Sequence, residues 1–109
     1  VDKDDKKSFD YMLKAAQLGN VKAQFWVGYK YFHEKGTQYN DKDMIYWLNK
    51  AVEQNDDMAQ WLLGIIYIEG KENGVDIEKN VELGMQLLEK SAKNGNQYAI
   101  EKLNKLKNN

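Results

Sequence analysis

The stretch Ala-Gln-Phe-Trp-Val-Gly at residues 23–28 returns as Ala-Gln-Trp-Leu-Leu-Gly at residues 59–64, and each copy is followed three residues later by a tyrosine. The two copies are 36 residues apart, and Lys-Ala-Ala at residues 14–16 returns at the same distance as Lys-Ala-Val at residues 50–52. Similarity at a fixed period of about 20–50 residues is typical of proteins in which each unit buries the apolar face of its neighbour. The sequence therefore predicts a stack of repeated units.

A third copy follows at a longer interval. Lys-Ala-Val at residues 50–52 returns as Lys-Ser-Ala at residues 90–92, and Ala59 returns as Ala99, both 40 residues later. The four extra residues fall within residues 70–79, a segment that contains two glycines. Since insertions in stacked repeats go to loops on one face, we expect an exposed loop here.

Each unit is predicted to be a pair of antiparallel helices. Apolar residues recur at helical spacing, and six helices are predicted, at residues 5–18, 21–35, 41–54, 57–69, 81–94 and 97–106. Residues that favour helix N-caps recur with the period, at Asp4, Asn40 and Asn80. Residues that tolerate the left-handed conformation after a helix recur at Gly19, Asn55 and Gly95. The fold class that follows is all-α, a right-handed α-solenoid of antiparallel helix pairs.

The same register identifies candidate core positions. Three sets of equivalent residues are predicted to pack between helices, namely Phe9, Ile45 and Met85, then Met12, Leu48 and Leu88, then Tyr11, Trp47 and Leu87. Gly28 and Gly64 lie in the middle of predicted helices, where Gly costs about 1 kcal/mol relative to Ala. Their recurrence at one register predicts crowded helix crossings that leave no room for a side chain.

Composition excludes several classes of function. The 109-residue chain carries 16 cationic residues, all of them Lys, against 17 carboxylates. Nucleic-acid-binding proteins show a basic surface in which Arg reads phosphates and guanine, so we predict no nucleic-acid partner. No apolar run approaches the roughly 18 residues of a membrane span. The chain has no Cys, and therefore no disulfide and no thiolate metal site.

Taken together, these residues resemble the Sel-one-like repeats (SLR), relatives of the tetratricopeptide repeat. The family's unit is a helix pair of about 36–44 residues, and its recurring elements are similar to the Ala-Gln start, the mid-helix Gly, the following Tyr, Trp47 and the Lys-Ala pair. The resemblance extends from about residue 4 to residue 103. The sequence departs from the family pattern at Asn40, Asn80, Met44, Gly84, Glu34 and Asn104. Because Asn104 replaces the mid-helix Gly of the third copy, we expect a terminal, solvent-facing last helix.

The resemblance implies one repeat domain over residues 1–109, with units at about 4–20 (partial), 21–56, 57–96 and 97–109 (partial or cap). It implies a non-enzymatic adaptor that holds a protein or peptide on its concave face. Some secreted members are linked to β-lactam binding or weak hydrolysis, but those carry a disulfide in each repeat. Two alternatives stay open beside the scaffold: a secreted β-lactam- or cell-wall-related binding protein or weak hydrolase, and a structural segment of a longer repeat protein.

Few residues could support catalysis. His33 is the only His, and the aliphatic hydroxyls are Ser8, Thr37 and Ser91. A serine triad needs a nucleophile, an imidazole and a carboxylate together, and Ser91 occupies a small-residue packing position. Acidic pairs such as Asp56 and Asp57 lie at predicted helix starts, where caps and the helix dipole favour them. We therefore predict no catalytic residue, no cofactor and no metal site.

The best candidate for a binding site is one face of the second helix. Trp26, Tyr29, Lys30 and His33 have the spacing i, i+3, i+4 and i+7, which places them on one face. Their equivalents in the fourth helix are Leu62, Ile65, Ile66 and Glu69. These eight residues are predicted to bind a protein or peptide on the concave face, since aromatic anchors dominate binding hot spots. The alternative is that Trp26 packs between adjacent helices.

We expect a monomer, although the sequence has no feature that determines the oligomeric state. The compartment stays open between the cytoplasm and, if a leader was removed before Val1, the periplasm or the exterior.

Overall fold

The computed structural model describes residues 3–33, 41–73 and 76–108 of the chain. In chain order the elements are α1 (Lys3–Gln17), α2 (Val21–His33), α3 (Asp41–Glu53), α4 (Asp57–Glu69), a 3₁₀ helix (Gly70–Asn73), α5 (Val81–Lys93) and α6 (Gln97–Lys107). No strand occurs in the described ranges. The all-α prediction is confirmed, and the helix starts at residues 21, 41, 57, 81 and 97 coincide with the predicted ones.

The helices form an elongated stack of 45 × 27 × 20 Å. Each α-helix packs against the helices next to it in the chain, most extensively α2 against α3 and α4 against α5, and α2 also touches α4. Contacts that stay within one repeat unit or between adjacent units distinguish a solenoid from a closed bundle. Among the described residues, no helix is long and apolar enough to span a membrane.

The predicted helix ends are confirmed. Gly19, Asn55 and Gly95 have φ angles of 99°, 65° and 90°, in the left-handed region that stops a helix. After each of them the next residue donates its backbone N–H back across the turn, with N to O distances of 3.0, 3.1 and 3.1 Å to Ala15, Ala51 and Ser91. The repeat therefore reuses one turn three times.

The N-cap residues were predicted less well than the helix ends. Asn80 caps α5, because its side chain accepts a hydrogen bond from the N–H of Leu83. Asp4 lies inside α1, which begins at Lys3, so its predicted role as the preceding cap is wrong, and Asn40 lies outside the described residues. The second set of caps was not predicted: Asn20, Asp56 and Asn96 accept from the N–H groups of Ala23, Ala59 and Ala99 at 2.9, 2.8 and 2.9 Å.

The mid-helix glycines lie at crowded crossings, as predicted. A Cβ on Gly28 would come within 2.6 Å of the Leu48 side chain. Gly64 and Gly84 face each other, since a Cβ on Gly84 would lie 2.6 Å from the Gly64 carbonyl oxygen. These close approaches explain why α2 packs so extensively on α3, and α4 on α5.

The core agrees with the predicted register at most positions. Phe9, Leu48 and Leu88 are buried, and Leu87 is 9% exposed. Tyr11 is an exception at 74% exposure, so its predicted packing role is wrong. Only its equivalents in α3 and α5 have a preceding unit to pack against within the described residues.

Two further predictions concern α6 and the insertion at residues 70–79. Asn104 is exposed on α6; the prediction that α6 is a terminal cap stays a prediction. The insertion was expected to be an exposed loop, but it begins with the 3₁₀ helix, and Gly70 is buried beside Lys79. The N–H of Asn80 donates to the carbonyl of Tyr67 at 2.8 Å, which ties the far end of this segment to α4.

Candidate partner-binding surface

The side chains predicted to bind a partner on α2 include a row of rings that reaches the surface. Trp26 is 46% exposed, and its ring meets Tyr29 edge-on with centroids 5.2 Å apart. The Tyr29 ring lies 4.2 Å from that of His33, which is exposed at the end of α2. Buried Phe25 touches both Trp26 and Tyr29, with centroids 5.2 and 5.6 Å apart. We call Trp26, Tyr29 and His33 the α2 ring row; its base is anchored in the core.

Lys30 lies beside this row and points toward α1. Its ammonium group is 5.9 Å from the centroid of the Phe9 ring, within the range of a cation–π contact. The side chain is half-buried, so its stem covers apolar surface while its charge stays near the rim.

The equivalent residues of α4 do not form a matching surface. Leu62 and Ile66 are 2% and 0% exposed, and they belong to the core between helices. Ile65 is partly buried against the cluster that joins α4 to α6, and the Glu69 carboxylate lies 3.9 Å from the Lys102 ammonium. This corrects the predicted eight-residue surface: Leu62 and Ile66 are not accessible to a partner.

The difference between α2 and α4 comes from their neighbours. Helix α4 packs against α2, α3 and α5, whereas α2 has α1, α3 and α4 beside it. In the repeat register, α4 is the counterpart of α2 one unit later, and the described residues contain no counterpart of α2 one unit earlier. Among the described residues, Trp26 on α2 is therefore exposed, whereas its counterpart Leu62 on α4 is covered.

Two buried glutamines, whose role was not predicted, hold successive turns together. Gln60 is 0% exposed, donates to the side-chain oxygen of Asn55 at 3.0 Å, and accepts from the amide of Asn94 at 3.1 Å. Gln24 is 4% exposed, donates to the carbonyl of Ala16, and accepts from the amide of Gln54 at 2.9 Å.

The same arrangement of hydrogen bonds therefore occurs twice, and we call it the amide bridge. Gln24 and Gln60 are repeat-equivalent, and so are Gln54 and Asn94. In each case an amide at the end of one helix pair reaches the Gln that begins that pair. The repeated Ala-Gln, read together with the recurring amide 34 or 30 residues later, could have indicated this contact from the sequence.

The hydroxyl and carboxyl groups near the turn between α3 and α4 have structural roles. The Ser91 hydroxyl is 0% exposed and donates to the carbonyl oxygen of Asp57 at 2.6 Å, which agrees with its predicted packing role. The Asn96 amide donates to the Asp57 carboxylate at 2.8 Å. Burial raises the pKa of Asp56, and the neighbouring Asp57 charge adds to this, while the Ala59 N–H and Lys22 act in the opposite direction. Within the described ranges no group of three or more His, Asp or Glu residues is placed to hold a metal ion.

A second exposed aromatic group lies on α3 and was not predicted as surface. Tyr46 is 52% exposed, its ring centroid lies 5.0 Å from that of Trp47, and the Lys50 ammonium is 5.5 Å from the Tyr46 centroid. A shallow cleft of about 410 Å³ separates these residues from Gln17 and Gly19 at the end of α1. Its walls come from successive units of the stack.

Comparison with known proteins identifies the family. A family model described as Sel1 repeat matches residues 1–20, 21–56 and 57–96. The chain belongs to the Sel1 repeat family. Two of the three matched segments contain the most extensively packed helix pairs, α2 with α3 and α4 with α5. Sel1 repeat proteins are generally scaffolds for protein interactions.

Two relatives show the extent of the similarity. The crystal structure of a Sel1 repeat protein from Oxalobacter formigenes matches with a TM-score of 0.52 and 24% identity, over 91% of this chain and 98% of that chain. This likeness shows the shared fold. The chitin synthase regulator SKT5 from Saccharomyces cerevisiae is 40% identical over 58 residues, which are 53% of this chain and 8% of that protein. The Sel1 repeat chain therefore corresponds to a small part of this relative.

Proposed function

We propose that this Sel1 repeat domain is a non-enzymatic scaffold that binds a protein or peptide, with the α2 ring row at the centre of its binding surface. The observation that supports it is a chain of rings in mutual contact that still leaves Trp26 46% exposed. Aromatic side chains dominate binding hot spots, and rings already held by Phe25 lose little further freedom when a partner binds. A net charge of −1 without Arg favours a protein over a nucleic acid.

The structural roles of several polar groups support a non-enzymatic function. Ser91 is buried with its hydroxyl bonded to a backbone carbonyl, and Asp56 caps α4. The ring of His33, the only imidazole in the sequence, lies tilted against that of Tyr29 and meets Phe32 edge-on.

Peptides selected from a random library on the immobilised domain provide the test. Their affinity is measured by isothermal titration calorimetry with the wild-type chain and with Trp26→Ala. We expect Trp26→Ala to weaken binding by about 30-fold, which is about 2 kcal/mol. The helical circular dichroism signal should stay unchanged, because the Trp26 side chain is nearly half exposed.

Tyr98→Ala is the matched control, since Tyr98 is an aromatic residue that is 57% exposed on a different helix, α6. It should leave the affinity unchanged. If Trp26→Ala instead lowers the melting temperature by several degrees and leaves the affinity within error, Trp26 is a packing residue and the proposed surface is rejected.

A further inference from the structure

The turn between α5 and α6 contains a dipeptide that can react with itself. Asn94 stands directly before Gly95, and its side chain is exposed to water. The backbone nitrogen of the residue after an Asn can attack the Asn side-chain carbonyl carbon. Gly in that place permits the attack best, because it has no side chain to crowd the nitrogen and its backbone rotates most freely. The pair is therefore a candidate site of deamidation.

The reaction balances without a cofactor. The nitrogen of Gly95 forms a bond to Cγ of Asn94, the bond from Cγ to Nδ2 breaks, and Nδ2 leaves as ammonia with the proton that Gly95 gives up. Water then opens the resulting imide ring at one of its two carbonyl carbons. One product is Asp, and the other is isoaspartate, in which the main chain runs through the former side chain. Either product carries a new carboxylate.

The fold engages both reacting groups in other contacts. The N–H of Gly95 donates to the carbonyl of Ala92 at 2.9 Å. The Asn94 amide donates to the side-chain oxygens of Gln60 and Asn55, at 3.1 and 3.3 Å. Attack therefore requires that the side chain leave these two acceptors and that the Gly95 N–H leave its carbonyl.

The backbone of the turn opposes the reaction as well. Asn94 has φ −81° and ψ 4°, and its N–H is shared among three carbonyls of α5. Gly95 follows with φ 90°, and the N–H of Asn96 closes the turn on the carbonyl of Ser91 at 3.1 Å. Closing the imide ring needs a large rotation of ψ at Asn94, which breaks this set of hydrogen bonds. The reactive geometry is thus reached only when the turn opens locally.

The other amide bridge lacks this chemistry. Its equivalent donor is Gln54, whose side chain is one methylene longer and is followed by Asn55. Cyclisation there would form a larger ring, which closes more slowly. The sequence has a second Asn-Gly pair, Asn73 and Gly74, but Gly74 lies outside the described residues. Asn94 is the described residue at which an Asn-Gly pair and an amide bridge coincide.

We propose that Asn94 and Gly95 form a deamidation site whose rate is set by the amide bridge. The closed bridge protects Asn94, and opening of the turn between α5 and α6 permits an irreversible conversion to Asp or isoaspartate. This inference is independent of the proposed scaffold function, because it concerns a modification of the turn and uses none of the residues of the α2 ring row.

The products fit the turn less well than Asn94 does. A carboxylate has no N–H to donate to Gln60 and Asn55, and a negative charge at the C-terminus of α5 is opposed by the helix dipole. Isoaspartate adds a methylene to the main chain, inside the turn that the hydrogen bond from Asn96 to Ser91 closes. Among the described helices, α6 packs mainly on α5. A deamidated chain should therefore open α6 more readily.

The test follows deamidation by mass spectrometry after incubation at neutral pH. The reactions at Asn73 and Asn94 are read separately, because trypsin cuts at Lys79 and Lys93 between them. We expect Asn94 to deamidate at least tenfold more slowly in the folded wild-type chain than in the chain unfolded by guanidinium chloride. Equal rates in the two states would overturn the inference.

Two variants open the bridge in different ways. Gln60→Leu removes one acceptor of the Asn94 amide, and Asn55→Gly removes the other. Asn55→Gly preserves the turn, because Gly tolerates the φ of 65° at this position. Each variant should deamidate at Asn94 at least threefold faster than the wild type under folding conditions. A rate at Asn94 that neither variant raises would show that the bridge gives no protection.

Val27→Ala is the control for general loss of stability. Val27 is 0% exposed on α2, so its truncation weakens the core and leaves the turn between α5 and α6 intact. The rate at Asn94 should stay at the wild-type value in this variant. If Val27→Ala accelerates deamidation as much as Asn55→Gly does, the rate follows global unfolding and the proposed role of the bridge is rejected.

Discussion

The surroundings of Asp56 have opposing effects on the ionisation of its side chain. Its side chain accepts a hydrogen bond from the N–H of Ala59 at 2.8 Å and so begins α4, which favours the charged form. Burial and the adjacent Asp57 charge oppose ionisation and raise its pKa above the ordinary value of 3.8. The equivalent caps Asn20 and Asn96 accept the same kind of bond without a charge.

We predict that Asp56→Asn is at least as stable as the wild type at neutral pH. A raised pKa in the folded state means that the stability associated with protonated Asp56 is present below pH 3.8 and is lost as the pH rises through the folded pKa. Asn keeps the acceptor oxygen and does not ionise. The advantage of Asp56→Asn should therefore be largest at neutral pH and shrink as the pH falls toward 4.

Urea unfolding of both proteins between about pH 3.5 and pH 7 measures this difference. The other carboxylates are common to both proteins, so their contributions cancel in the comparison. A variant that is less stable than the wild type at pH 7, with the gap narrowing in acid, would show that the charge of Asp56 is favourable where it stands.

Single residues also mark the limit of what the sequence could reveal. The left-handed turns at Gly19, Asn55 and Gly95 were predictable because few residue types tolerate a positive φ. The close approaches at Gly28 and Gly64 were predictable because Gly in a helix interior requires a packing reason. The buried role of Gln60 was not predicted, because a Gln at a helix start is equally common on a surface.

At the scale of elements, the amide bridge joins the end of one helix pair to its beginning. The Gln60 side chain is buried, where an unpaired amide would be costly, so its hydrogen bonds to the exposed residues Asn55 and Asn94 matter together. Gln60 meets both Asn55 and Asn94, within 3.0 and 3.1 Å. Its equivalent in α6 is Ile100, which leaves the third copy without a bridge.

A double-mutant cycle tests whether the bridge acts as a unit. We predict that Gln60→Leu destabilises the domain by about 1–2 kcal/mol, because it removes the hydrogen bonds of the Gln60 amide to Asn55 and Asn94. Gln60→Leu and Asn94→Ala should together cost less than the sum of the two single changes, with a coupling of about 0.5–1.5 kcal/mol in denaturant melts.

Gln60→Leu combined with Gln86→Ala is the matched control, since Gln86 is an exposed amide on α5. That pair should be additive. Additivity of Gln60→Leu and Asn94→Ala as well would mean that the 3.1 Å contact contributes nothing measurable to stability.

Comparison of α2 with α4 explains why the candidate surface was predicted only in part. Repeat equivalence correctly placed Trp26 and Leu62 at one register, and it suggested that both would be accessible. Exposure depends on the neighbouring element as well as on the register, and α2 covers part of α4 while the described residues contain no helix that covers α2 in the same way. The period of one sequence shows which positions are equivalent. It does not show which units have neighbours that cover them.

At the scale of the whole molecule, the stack predicts uneven stability along its length. Stability in a solenoid is approximately a sum of unit and nearest-neighbour terms, so a helix with fewer neighbours should open first. Among the described helices, α4 contacts α2, α3 and α5, whereas α6 packs mainly on α5. Leu63 on α4 and Leu103 on α6 are repeat-equivalent, at 1% and 7% exposure, and they allow a matched comparison.

We predict that Leu63→Ala costs about 2–5 kcal/mol, in the range of other buried Leu→Ala changes, and lowers hydrogen-exchange protection in every helix. Leu103→Ala should lower protection in α6 while the amides of α4 exchange as in the wild type, because α6 can open without the rest. Hydrogen–deuterium exchange read by mass spectrometry, helix by helix, distinguishes the two patterns. Equal loss of protection in α4 and α6 on Leu103→Ala would show that the six helices unfold as one cooperative globule, and the nearest-neighbour description would then fail for this chain.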